Sequence, residues 1–289
     1  MKEFLIQVGE GLLSRSRGDF QEGGRVGEAA WYVLEGGGKR LRPGLLLGTV
    51  CALRNIRLEE VGEHAWRAAK AFEYIHTYSL IHDDLPLLDD DALRRGRPSC
   101  HKVFGVATAV RAGLFLLGAA FLALDPLEEG FRIPMVRLLE GAAGVRGMVG
   151  GQALDILGEG REATGERLEE IHLGKTASLI RASLVGGAIV ARAPGETIAA
   201  MGEVGRAAGL AFQIVDDLLD VSSTEEAMGK PVGADGEHKK TTYPSVLGIE
   251  ESRRRAAELI ERSVEGLKKC DAESTILTEL LRFVFERRS

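Results

Sequence analysis

Cysteine is scarce in this chain: Cys51, Cys100 and Cys270 are the three among 289 residues. The odd count and wide spacing exclude a disulfide frame and a thiolate zinc site, and suit a reducing compartment. Proline is scarce too, at 8 residues, and no Pro- or Ser-rich linker divides the chain. One domain over 1–289 is expected. An excess of basic charge is lacking, since 37 Lys and Arg face 43 Asp and Glu for a formal net charge of -6. That excludes a sequence-independent nucleic-acid binder. The short runs Arg253-Arg254-Arg255 and Lys268-Lys269 read as solvated helix faces. No apolar h-region follows Met1, because Glu10 and Asp19 come early. Long hydrophobic runs are missing as well. Ala112 to Leu124, between Arg111 and Asp125, is too short for a membrane span and reads as a buried core helix. A cytoplasmic protein without a membrane span is the expectation.

Alternating strand patterns are few. Helical spacing is nearly continuous, as in Ile171, Ala177, Leu179, Ile180 and Leu184, or Val204, Ala208, Ala211, Ile214 and Val215. The pattern predicts an all-α fold, a single-domain bundle of about ten or more helices. Breaks are expected near Gly18, Gly36 to Gly38, Asn55, Gly96 to Pro98, Asp125-Pro126, 158–165, Ala193 to Gly195 and 228–242. Glycine is abundant, with 37 residues, many inside helical patterns such as Gly113, Gly118 and Gly186-Gly187. Gly weakens a helix, so close helix packing is the expected reason. Several helices lack a polar stripe, which suits a thick bundle and a dimer interface.

What the chain has instead is two clusters of aspartate. Asp83-Asp84-Leu85-Pro86-Leu87-Leu88-Asp89-Asp90-Asp91 is one and Asp216-Asp217-Leu218-Leu219-Asp220 the other. Each interrupts an apolar helical stretch. Carboxylates this dense repel and are costly to desolvate, so a hard divalent cation, Mg²⁺ above all, is expected between them. Gln213, Asp216 and Asp220 fall on one helix face, with Asp217 about 100° around the axis. Pro86 cannot continue helical hydrogen bonding, so a bulge should bring Asp83 and Asp89 to one side. A solvated acidic helix end would explain the first cluster alone equally well; for the second it fits poorly, because Ile214, Val215, Leu218 and Leu219 surround the acids, and the two clusters together argue against it.

Cations lie nearby. Arg94-Arg95-Gly96-Arg97 follows the first cluster, and guanidinium forks match phosphate oxygens. Gly36-Gly37-Gly38-Lys39-Arg40-Leu41-Arg42 is a glycine-rich turn with three cations, a diphosphate cradle that lacks Walker A spacing. Arg97 could equally serve an internal salt bridge. His76 lies two turns before Asp83 on nearly the same face.

These segments resemble the trans-prenyltransferases, the polyprenyl synthase family of short-chain isoprenyl diphosphate synthases. Gly37 to Pro43, Ile75 to Asp84, Asp89 to Gly96, Gly150 to Asp155, Lys175-Thr176, Gly209 to Asp220 and Lys240 to Pro244 carry the likeness in order. The resemblance implies the isoprenoid synthase fold, helices around a deep central cavity, and a homodimer. It implies condensation of isopentenyl diphosphate with an allylic diphosphate, with about three Mg²⁺ ions per site. Asp83, Asp89 and Asp216 would be the principal metal ligands, supported by Asp84, Asp217 and Asp220. Arg94, Lys175 and Lys230 would clamp the allylic diphosphate. Lys39, Arg42, His76 and Arg95 would bind isopentenyl diphosphate. Thr176 and Gln213 would set oxygen dipoles beside the developing cation, and Lys240 would lie in the segment closing the site. Residues 224–237 have a lid's composition, and Phe283 to Arg288 resemble a covering tail. His82 would only orient Asp83.

Three places depart from the family: Leu114 stands where Gly-Asp is usual, Val106 where Glu is common, and His238-Lys239-Lys240 where Gly-Lys is frequent in the closing segment. The first two bear on local packing. Tyr78, about 7.5 Å down the axis from Asp83, with small Ser79 beside it, resembles the floor residue of bacterial farnesyl diphosphate synthases. Farnesyl diphosphate is therefore the expected main product, and geranylgeranyl diphosphate the alternative. Three rivals remain: a non-catalytic prenyl synthase subunit, a terpene cyclase, and a di-iron bundle. Glu73-Tyr74-Ile75-His76 fits the last by spacing, but no second pair answers it.

Overall fold

The computed structural model describes residues 1–158, 165–228, 242–270, 272 and 274–285. In chain order the helices are α1 (Lys2–Ser16), α2 (Gly24–Glu35), α3 (Leu41–Arg54), α4 (Glu63–Asp83), α5 (Cys100–Phe104), α6 (Val106–Leu124) and α7 (Glu129–Ala143). There follow α8 (Met148–Gly158), α9 (Gly165–His172), α10 (Ser178–Val190), α11 (Gly195–Met228), α12 (Tyr243–Leu247), α13 (Ile249–Lys269) and α14 (Thr275–Phe285). The all-α expectation holds, and the breaks fall close to where glycine, proline and Asn55 place them. Of the expected lid, 224–228 continue α11 and 229–237 lie outside the described residues. So do Lys230, Lys240 and the tail beyond Phe285.

α4 organises the bundle. Trp66, Ala68, Ala69, Phe72, Tyr74, Ile75 and Ile81 are all buried, and a helix apolar all round has to be surrounded. α3, α6 and α10 pack on it, while α11 packs on α10 and α13. Its two buried charges are paired: Lys70 with Asp19 at 2.8 Å and Glu73 with Arg40 at 2.6 Å.

Three features differ from the sequence reading. A two-residue β-hairpin pairs Leu93–Arg94 with Arg97–Pro98. Arg95 and Gly96 at its tip both have positive φ, 55° and 76°, which suits a tight hairpin turn. Leu173–Ala177 forms a π-helical turn between α9 and α10. Finally, α6 is only partly a core helix. Ala112, Gly113, Leu116 and Ala120 are buried, but Val106, Leu114 and Leu122 are exposed. It starts well before Ala112, and by length and composition alone it is apolar enough to cross a membrane. Gly118 meets nothing within 4 Å, so packing inside this chain does not explain that glycine.

Candidate active site

A cavity of about 1280 Å³ opens at the C-terminal end of α4. Asp83, Asp89, Asp216, Asp217 and Asp220 all line it, together with Lys39, Arg42, His76, Arg94, Arg95, Lys175, Thr176, Gln213, Tyr78 and Ser79. Segments far apart in the chain thus meet on one space.

The first acidic wall is built by the helix end. α4 stops at Asp83, and the chain turns back so that the Asp89 N–H donates to the Asp83 carbonyl at 3.0 Å. The turn sets Asp83 and Asp89 on the cavity. Asp84 faces away: it is 2% exposed and accepts from Arg94 Nε at 2.8 Å and from Nη2. Asp90 pairs with Lys102 at 3.2 Å and Asp91 with Arg94 at 2.8 Å. Asp83, Asp89 and Asp91 thus line the cavity, while Asp84, Asp90 and Asp91 carry the ion pairs that brace the loop. Burial pushes the Asp83 carboxyl up to about 6, with Lys175 opposing and Asp89 adding to the rise.

The second wall is the uninterrupted face of α11. Asp216 is half-buried and Asp220 exposed. Asp217 is 4% exposed, and both its oxygens are engaged. Oδ1 accepts from Gln213 Nε2 at 2.9 Å, and Oδ2 accepts from the Tyr243 N–H at 2.9 Å. Burial raises its carboxyl to about 6 against those two bonds. Thr176 donates to Gln213 Oε1 at 2.7 Å. A chain of hydrogen bonds thus runs from the π turn through α11 to α12.

The π turn carries Lys175 and Thr176 to the cavity. Lys175 Nζ donates to Asp155 Oδ2 of α8 at 2.6 Å. His172, just before the turn, stacks on Tyr243 with centroids 5.3 Å apart, and burial lowers its imidazole to about 4.

The cation cradle lies across the cavity. Gly38 has φ 119°, and a Cβ there would lie 2.4 Å from the Arg95 guanidinium, so a side chain would displace Arg95. Arg95 also donates to the Gly37 carbonyl. Arg40, buried, donates to Glu73 and to the Leu34 carbonyl and so anchors the loop to α4. Lys39 Nζ lies 5.3 Å from the Phe283 ring, which brings α14 to the cradle. Burial, with Arg42 and Arg95 next, lowers the His76 imidazole well below its usual range.

Sequence reasoning gave no role to Asp155 or His172, and it counted Arg40 among the cradle's cations, whereas Arg40 is buried on Glu73 and the Leu34 carbonyl. Asp155 sits within a matched segment, which was its available signal. His82, expected to orient Asp83, instead reaches the Val110 carbonyl through Nε2 at 3.1 Å.

The donors fit Mg²⁺ in kind, being carboxylate oxygens only. Among the described residues no three His, Cys, Asp or Glu groups enclose an ion by themselves.

A model of the polyprenyl synthetase family matches residues 24–280. The farnesyl diphosphate synthase of Geobacillus stearothermophilus is 42% identical over 97% of this chain and 95% of its own length. Geranylgeranyl pyrophosphate synthase 12 of Arabidopsis thaliana is 44% identical over 86% of this chain and 69% of its own. The crystal structure of a Helicobacter pylori geranyltransferase complexed with magnesium and isoprenyl diphosphate superposes with a TM-score of 0.75 at 32% identity, covering 90% of this chain and 86% of that one. The chain belongs to the polyprenyl synthetase family.

Proposed function

We propose that this chain condenses isopentenyl diphosphate head-to-tail with dimethylallyl and geranyl diphosphate, giving mainly farnesyl diphosphate. The observation that carries the reading is the convergence of two acidic walls and a cation cradle on one cavity, with the apolar, aromatic flank of α4 beneath. The whole chain, 1–289, acts as one domain.

Asp83, Asp89 and Asp216 would hold Mg²⁺ with Asp220 in support, while Asp84 and Asp217 would support them from behind, through Arg94 and through Gln213 and Tyr243. About three ions, when bound, would neutralise the diphosphate so that it can leave. Arg94, Lys175 and Lys230 grip the allylic diphosphate. Its C–O bond breaks and the electron pair leaves with the diphosphate. Lys39, Arg42, His76 and Arg95 hold isopentenyl diphosphate so that its double bond attacks the allylic carbon and a C–C bond forms. The surplus proton passes to an oxygen of the released diphosphate. Thr176 and Gln213 set oxygen dipoles beside the positive charge, and Lys240 helps close the site. The apolar walls keep out water, which would quench the cation. Tyr78, beside Ser79, stops the tail.

Geranylgeranyl diphosphate is the second reading, favoured by the Arabidopsis relative. A non-catalytic subunit is remote, because both acidic clusters are intact. We place the enzyme in the cytoplasm as a homodimer; the exposed apolar face of α6 supports the dimer. Incubation with Mg²⁺, isopentenyl diphosphate and dimethylallyl, geranyl or farnesyl diphosphate should give elongated products, farnesyl foremost. No elongation from any primer would refute the proposal.

A further inference from the structure

Tyr78 does not stand alone in the cavity wall. Its ring meets the His82 imidazole edge-to-face, with centroids 4.8 Å apart at 78°. Residues four apart share a helix face, so the imidazole sits between Tyr78 and the acidic end of α4. A carbonyl can only accept, so the 3.1 Å contact makes His82 Nε2–H the donor to Val110 on α6.

Gly113, one turn on from Val110, forms the seat. A Cβ at 113 would lie 2.2 Å from His82 Nε2 and 2.5 Å from Cδ2. Real side chains do not approach so closely, so any other residue would push the imidazole away. The glycine is thus matched to His82, and the helix that Leu114 leaves exposed on one side supports the floor residue on the other.

We propose that His82 is a specificity-determining positioning residue: seated on Gly113 and tied to Val110, it holds the Tyr78 ring in place and so sets how sharply chain growth stops. The inference rests on Tyr78 being the floor in the function proposed above. A growing tail can pass Tyr78 only if the ring swings aside, and the edge-to-face contact opposes that swing. A contact of this kind changes a conformer ratio roughly 3- to 10-fold.

The test sizes products made from isopentenyl and geranyl diphosphate with Mg²⁺, for the wild type, His82→Ala, His82→Gln, Tyr78→Ala and the double variant Tyr78→Ala/His82→Ala. Melting temperature and circular dichroism check folding. His82→Ala should raise the ratio of longer product to the wild-type main product roughly 3- to 10-fold. His82→Gln keeps a donor for Val110 but loses the ring, and should shift the ratio the same way. It decides the matter if His82→Ala does not fold. Adding His82→Ala to Tyr78→Ala should change nothing further, because the brace acts through that ring. An unchanged product ratio in a folded His82 variant overturns the inference, as does an equal shift in the Tyr78→Ala background. A wild type that elongates no primer would instead remove the function reading.

Discussion

Arg40 adopts a left-handed backbone, φ 48°, which a long side chain rarely takes. The conformation is held by a buried bond to Glu73 at 2.6 Å and by the Leu34 carbonyl. The two neighbouring cations, Lys39 and Arg42, are thereby set on the cavity. Glu73→Ala would leave that guanidinium buried and uncompensated, at a cost of about 3–5 kcal/mol. The expected result is a fall in melting temperature together with a raised KM for isopentenyl diphosphate, read by thermal denaturation and steady-state kinetics. An unchanged KM in a folded variant would show that Arg40 does not order the cradle. At this scale the acids were legible in the sequence and their partners were not. Asp83, Asp89, Asp216 and Asp220 stand out because charge is anomalous in an apolar helical run. Arg40, His82 and Asp155 do not, because what they touch lies 33, 28 and 20 residues away. Asp84 and Asp217 look the same as Asp83 and Asp216 in sequence; only the fold gives Asp84 to Arg94 and Asp217 to Gln213 and Tyr243.

Two small irregular elements aim the functional side chains. The hairpin tip turns Arg94 and Arg95 back over the first acidic wall. The π turn shifts Lys175 and Thr176 relative to the α9 face that precedes them. A π turn carries one residue more than an α turn needs. Deleting Gly174 should let α9 and α10 join as a regular helix, rotating α9 by about 100° against α10. Circular dichroism should show the helical content retained, while prenyl transfer falls about 100-fold or more. Retained activity would mean that the turn does not position Lys175. Neither element was readable beforehand. Strands of two residues are too short to show alternation, and Leu173-Gly174-Lys175-Thr176-Ala177 has no composition that distinguishes π from α. The helices themselves were readable, since their periodicity is set by burial on the way to a core.

At the scale of the whole molecule, α6 leaves large apolar side chains uncovered among the described residues. Val106, Leu114 and Leu122 are 48%, 54% and 72% exposed, and contiguous exposed apolar surface is where a partner packs. For the homodimer proposed above, Leu114→Lys with Leu122→Lys should shift sedimentation from dimer to monomer; a species distribution equal to wild type would overturn α6 as its interface. The sequence expected a core helix here because composition reports how apolar a helix is, not whether its cover is the same chain. The long axis of α4 has a consequence of another kind. Tyr78 and Tyr74 are four residues apart, about 6 Å along the axis. Tyr74 is itself fixed, its phenol donating to Asp19 at 2.7 Å and its ring against Phe20 at 5.5 Å. That interval is close to what one isoprene unit adds to an extended tail. A tail one unit longer would reach the level of Tyr74, whose ring is wholly buried and outside the cavity lining, so lengthening the product by more than one step would take a change at that turn as well as at Tyr78.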